Sequence, residues 1–325
     1  MPSPPSPPHD SVYAQLIAAL HPSPPVVLEV EILPSSFPPQ LLHESAAVGV
    51  PKSLLVPLYL TARKTFFDHV SSRDSDSYPA ALQATAVILL FDPNHLTAAN
   101  FRKRHIQRFS GERSENDYND RDLGNLADAV RHELNFLEIL VTSPLSKHAK
   151  SSTLWAQRLW TGQNFFPLDL QEHAADEAIQ VMITGNGIKS FWDEELVIVM
   201  KAGERHPSNY YAWQYARQLF TSIRFEHPGF KDRRHGVRVL LYDSIGLVHG
   251  WCLMHPRDIS GWAFLVFLLE QLRDEGCDEG DKTKVSEDEI LISASETKEF
   301  AKKYEWKGES IEWFLKAMKT LDIDD

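Results

Sequence analysis

Few side chains in this chain combine a type and a spacing suited to catalysis. Lys147, His148 and Lys150 form a small basic island in a protein of net charge −12. From the residues alone it reads as the solvated start of a helix. Arg102-Lys103-Arg104-His105 is a second basic cluster and reads as a solvated helix face. Tyr210 and Tyr211 are adjacent, so they point in different directions around a helix. The expectation is one in the core and one available to a partner. Fourteen histidines are present without His-Glu-x-x-His or a similar ligand spacing, so no metal site is expected in this chain. There is no Gly-x-Ser-x-Gly elbow and no phosphate-binding P-loop. Gly185-Asn186-Gly187 lacks the third glycine of a dinucleotide fingerprint and reads as a helix terminator.

The elements that carry these residues announce themselves by a recurring pattern. A proline is followed, about a turn and a half of helix later in three cases and eleven residues later in the fourth, by a landmark residue that is usually tryptophan. The four cases are Pro93 to Ala99, Pro144 to Trp155, Pro207 to Trp213 and Pro256 to Trp262. An amphipathic stripe precedes three of the prolines, as in Leu134, Leu137 and Val141, or Leu196, Val199, Met200 and Gly203, or Leu247, Trp251 and Met254. Proline ends one helix and suits the turn that opens the next. The unit is therefore a helical hairpin, and stacked hairpins bury a continuous core. The expected fold is all-α, a right-handed α-α superhelix (solenoid) of TPR-like hairpin repeats. The landmarks stand 56, 58 and 49 residues apart, wider than the roughly 34 residues of the tightest helical-pair repeats, so long connections are expected. Trp155, Trp213 and Trp262 are expected to pack rather than to bind, and Arg158 and Arg217 to bond a neighbouring helix.

One repeat domain is expected over 10–323, with repeats around 77–110, 122–163, 191–224 and 235–272. A disordered Pro/Ser-rich tail is expected over 1–9, since eleven of the twenty prolines fall in the first 40 residues. Val26 to Leu33 reads as an extended strap without a partner strand. The segment 273–289, with eight carboxylates against three basic residues, reads as a mobile loop. Ser293-x-x-Glu296 resembles a capping box for a last helix reaching Leu321. The acidic balance argues against a general nucleic-acid partner. Two cysteines, no span of about 20 uninterrupted apolar residues and a start unlike a secretory signal lead to the expectation of a cytoplasmic protein with no membrane span.

Glu195-Leu196 … Pro207-Ser208-Asn209-Tyr210-Tyr211-Ala212-Trp213 resembles the repeat of protein prenyltransferase α subunits. The stretch from His132-Glu133-Leu134 to Thr153-Leu154-Trp155-Ala156-Gln157-Arg158 is similar to the branch called protein prenyltransferase α-subunit repeat-containing protein, with 22 residues from Glu133 to Trp155 against 18 from Glu195 to Trp213. The resemblance implies the α subunit, or an α-like accessory subunit, of a heterodimeric protein prenyltransferase, active only with a β subunit. That β subunit would hold the zinc, no cofactor being implied for this chain. The reaction implied is transfer of a geranylgeranyl or farnesyl group from the isoprenoid diphosphate to a cysteine near the C terminus of a substrate protein. Lys150, five residues before Trp155, matches the family's lysine near the diphosphate. Asn209, Tyr210 and Tyr211 match its interface, substrate-binding positions. Ala99 departs from the pattern, as do the small polar residues Ser151, Ser152 and Thr153. The alternative reading is a non-enzymatic helical-repeat scaffold that holds a protein or peptide.

Overall fold

Each of the four proline-to-landmark segments is a hairpin end in the computed structural model, which describes residues 9–23, 25–72, 75–109, 120–165, 185–226, 233–276 and 283–321. The first unit, Met1–Ala175, contains α1 (His9–Leu20), three strands, α2 (Lys52–Ser72), α3 (Tyr78–Phe91), α4 (Leu96–Gln107), α5 (Asp120–Val141), the single turn α6 (Ser146–Ala149) and α7 (Ser152–Phe165). The second, Asp176–Asp325, contains α8 (Gly185–Arg205), α9 (Tyr210–Glu226), α10 (Arg233–Met254), α11 (Ile259–Gly276), α12 (Thr283–Lys303) and α13 (Glu309–Leu321). The pairs α3/α4, α5/α7, α8/α9 and α10/α11 are helical hairpins, and the fold is an all-α repeat fold. The extra four residues between Glu133 and Trp155 are taken up by α6.

Within the second unit the packing is that of stacked hairpins. The first helices α8 and α10 touch, the second helices α9 and α11 touch, and α12 and α13 lie on α11. Trp192, Trp213, Trp262, Tyr215, Phe220 and Phe264 are fully buried there. Trp251 passes between two glycines: an ideal Cβ on Gly203 would lie 3.1 Å from its ring, and one on Gly261 only 2.5 Å. The edge of that ring meets Trp213 at 5.0 Å between centroids. In the first unit α3 packs on α2, α4 and α1, and α7 on α4 and α5.

Several sequence expectations are corrected. The extended segment has partners: β1 (Glu29–Leu33) runs parallel to β3 (Ala47–Pro51), and β2 (Leu42–Glu44) runs antiparallel to β3, giving the order β1-β3-β2. Val30 and Val48 stand in register, both buried, and β1 lies against α5. The core stripe of α10 is Val237, Leu241, Ile245, Val248 and Cys252, whereas Leu247 and Met254 are exposed. Val237–Met254 is long and apolar enough to cross a bilayer, but that buried stripe is occupied by packing. Gly185-Asn186-Gly187 begins α8 rather than ending a helix. Ser293 is buried in the middle of α12; the break comes at Tyr304 to Gly308, where Glu305 has φ 50°. Phe314 packs on Trp262, at 4.7 Å between centroids, while Trp313 is exposed. Helices α11 and α12 occupy 273–276 and 283–289, and the rest of that segment, like the tail to residue 8, lies outside the described residues.

Candidate partner interface

The ends of the hairpins share one local design. The residue four before each landmark caps the second helix by accepting the backbone N–H three residues on. His95 Nδ1 accepts from Ala98 at 3.2 Å, Ser151 Oγ from Leu154 at 3.2 Å, Asn209 Oδ1 from Ala212 at 3.4 Å and Asp258 Oδ1 from Gly261 at 3.2 Å. Each cap satisfies a donor that a helix start leaves orphaned. Two caps also tie neighbouring hairpins together. The Ser151 hydroxyl lies 2.9 Å from the Pro93 carbonyl and 2.8 Å from Asn94 Oδ1. Asp258 Oδ2 accepts from the Ser208 N–H at 2.8 Å, where Ser208 stands at φ 58°. The sequence reading missed this series; its signal was the run of His, Ser, Asn and Asp at one repeat position.

Lys150 sits in the first unit between α6 and the Ser151 cap. Its backbone is fixed on both sides: its N–H donates to Ser146 at 3.0 Å, and the Ala149 carbonyl accepts the Trp155 indole N–H at 2.7 Å. The side chain is half-buried. The island around it is smaller than expected, because His148 is buried on the Leu90 carbonyl at 2.8 Å, and burial pushes its pKa down.

Asn209, Tyr210 and Tyr211 are together in the second unit. Asn209 is fully buried as the cap of α9, which leaves it a structural part. Both tyrosines are exposed, at 63% and 41%, where one had been expected in the core. They occupy the first two positions of α9, where side chains lean toward the helix N terminus. Their rings meet edge to face at 5.8 Å. Met254 and Ile259, at the hairpin end joined to theirs through Ser208 and Asp258, are also exposed.

The arginines have structural roles. Arg158 donates to the Leu134 carbonyl at 2.7 Å and Arg217 to the Ala263 carbonyl at 2.5 Å, each on a neighbouring helix. Arg102 is not on a solvated face. It is buried, paired with Glu133 at 2.7 Å, and its Nη1 donates to Thr85 at 3.2 Å. Gln157 donates to the other Glu133 oxygen at 3.2 Å, and Tyr215 makes the equivalent bond to Glu195 at 2.6 Å in the second unit. Among the described residues no group of three or more His, Cys, Asp or Glu could hold a metal ion.

The model of the protein prenyltransferase alpha subunit repeat matches residues 192–223 and 241–272, which are the hairpins bearing Trp213 and Trp262. Protein prenyltransferase alpha subunit repeat-containing protein 1-A of Xenopus laevis is 28% identical over 191 residues, 59% of this chain and 37% of that protein. The Homo sapiens repeat-containing protein 1 is 27% identical over 199 residues, 59% of this chain and 40% of its own length. Two hairpins of the chain are thus similar to the protein prenyltransferase alpha subunit repeat. Protein ECM9 of Saccharomyces cerevisiae is similar at 21% identity over 226 residues, 70% of this chain and 48% of that protein. The chain thus matches about two fifths to one half of the length of these relatives. The repeats bearing Ala99 and Trp155 lie outside the two matched segments, yet their hairpins and caps follow the same design.

Proposed function

We propose that this chain is the α-type subunit of a heterodimeric cytoplasmic protein prenyltransferase, with the hairpin ends as the surface that meets a β subunit. The observation that carries the reading is the exposed pair Tyr210–Tyr211, with Met254 and Ile259 at the adjoining end, inside the repeats that match the family. Aromatic side chains with an apolar body and a polar tip are favoured at the centres of protein interfaces. The β subunit would supply the thiol-activating zinc and most of the isoprenoid pocket. Lys150 would contribute a compact cation, held at a fixed backbone position, to the charge that grows on the departing diphosphate as the cysteine sulfur bonds to the prenyl carbon. Asn209 would act only by holding the first turn of α9, and with it the two tyrosines, in place.

The test is co-expression with protein prenyltransferase β subunits, followed by assay of farnesyl and geranylgeranyl transfer to a protein ending in a cysteine motif. The reading expects transfer by the complex and not by this chain alone. Lys150→Ala is expected to slow turnover by about 10²-fold with assembly intact, the scale of removing one transition-state donor. Undiminished turnover in that variant would remove Lys150 from the mechanism. A scaffold that binds a protein without catalysis is the second reading, favoured by the burial of Asn209 as a cap. Stable complex formation with no transfer in any pairing would decide for it.

A further inference from the structure

A cavity of about 300 Å³ opens beside α4 in the first unit, lined by Tyr78, Phe101, Arg104, Gln107 and Arg108. That volume is at the lower end of the range for small-molecule sites, about 300–1,000 Å³, and suits a compact group. Its floor is aromatic: the Tyr78 and Phe101 rings lie 5.0 Å apart, and Phe101 is buried. The Arg108 guanidinium sits over the Tyr78 ring at 3.7 Å. Arg104 is held from behind by its Nε bond to the Asn100 carbonyl at 3.2 Å. The two arginines are four residues apart across the end of α4, so their heads fall on one face.

Among the described residues, the other polar groups at the cavity leave its charge to the arginines. The Tyr78 hydroxyl is 3.2 Å from His105 Nδ1. Burial raises the phenol's pKa and lowers that of His105 to about 4, so near neutral pH the phenol keeps its proton and the imidazole is uncharged. None of the five lining side chains is a carboxylate. Cations at a helix C terminus complement the helix dipole, which accounts for basic residues there but not for two guanidiniums bordering one concavity.

We propose that this cavity binds a phosphomonoester group, with Arg104 and Arg108 as its two cationic forks and the Gln107 amide as a further donor. Guanidinium geometry matches phosphate oxygens in pairs, and a tetrahedral dianion can engage two forks at once, where a monocarboxylate fills one. The proposal is independent of the prenyltransferase reading, because it concerns neither Lys150 nor the hairpin ends.

The experiment titrates the full chain, labelled at arginine Nε, with inorganic phosphate and with glycerol 3-phosphate. In a second arm the chain is sedimented with phosphatidylcholine vesicles with and without phosphatidylinositol 4-phosphate. Saturable shifts of the Arg104 and Arg108 Nε–H signals, or phosphoinositide-dependent sedimentation, are expected; the first outcome identifies a soluble ligand, the second a lipid headgroup. Arg104→Gln and Arg108→Gln should each weaken binding by about tenfold, the scale of one charge-assisted hydrogen-bonding group. Both positions are exposed, so unchanged melting temperatures will show that the variants fold. Absence of binding in both arms, equal displacement by acetate, or wild-type binding by both variants would overturn the proposal.

Discussion

The ion pair between Arg102 and Glu133 gives the sharpest test of how the first unit is held together. Both side chains are almost wholly removed from solvent, at 3% and 5% exposure. Arg102 donates to Glu133 through Nε at 2.8 Å and lies 2.7 Å from it through Nη2, with Thr85 on the third nitrogen and the Phe136 ring 4.0 Å beneath. Glu133→Ala removes the carboxylate and leaves a buried guanidinium without its counter-charge, together with the Gln157 amide donor. Removing one member of a buried pair costs about 3–5 kcal/mol, much of it the desolvation of the charge left behind. A unit of this size loses about 2–4 °C of melting temperature per kcal/mol, so its calorimetric transition should fall by about 6–20 °C. The double replacement Arg102→Met with Glu133→Leu should recover most of the loss, because no charge then remains buried. The reasoning fails if Glu133→Ala lowers stability by less than about 1 kcal/mol, or if the double variant is no better than the single one.

In the second unit, Gly261→Ala would set a Cβ 2.5 Å from a Trp251 ring already confined by Gly203 and Trp213; the expected cost is about 1–3 kcal/mol with a changed tryptophan emission, measured by urea denaturation. Gly250→Ala, with nothing within 4 Å, should be neutral or stabilising by up to about 1 kcal/mol, and equal effects at the two sites would contradict this packing. Acid should weaken the first unit through His21, whose pKa is lowered to about 3 by burial, with Arg102, His132 and His105 adding to the effect. The folded state then binds fewer protons than the unfolded one between that value and about 6.5, so stability falls as pH falls through this window. From pH 7 to 5 the loss should be about 2 kcal/mol, and His21→Phe, which keeps the stack on Phe136, should flatten the profile by that amount in pH-dependent melts.

The hairpins were legible in the sequence because a proline and a landmark residue, usually tryptophan, recur in series, three times after an amphipathic stripe. The parallel pairing of β1 and β3 was not, since it joins residues 18 apart through two short strands whose neighbours only the folded chain supplies. Arg102 looked solvated because Lys103 and Arg104 flank it; its partner Glu133 is 31 residues away on another helix. Ser293 and Glu296 matched a capping box by spacing alone, but Ser293 faces the core and the helix continues through them. Lys150 and the Asn209–Tyr211 run were placed from a family pattern, which registers position in the repeat but not whether a side chain faces inward. Asn209 turned out to cap its helix, and Tyr211 to stand beside Tyr210 in solvent.

The central claim is that the ends of the repeats grip a second polypeptide. Size-exclusion chromatography with light scattering, on this chain co-expressed with a prenyltransferase β subunit, addresses it most directly when run beside a Tyr210→Asp, Tyr211→Asp variant with unchanged circular dichroism. The account predicts a one-to-one complex for the natural chain and separate monomers for the variant. A complex that forms equally well with both aspartates in place, or none with the natural chain, would contradict it.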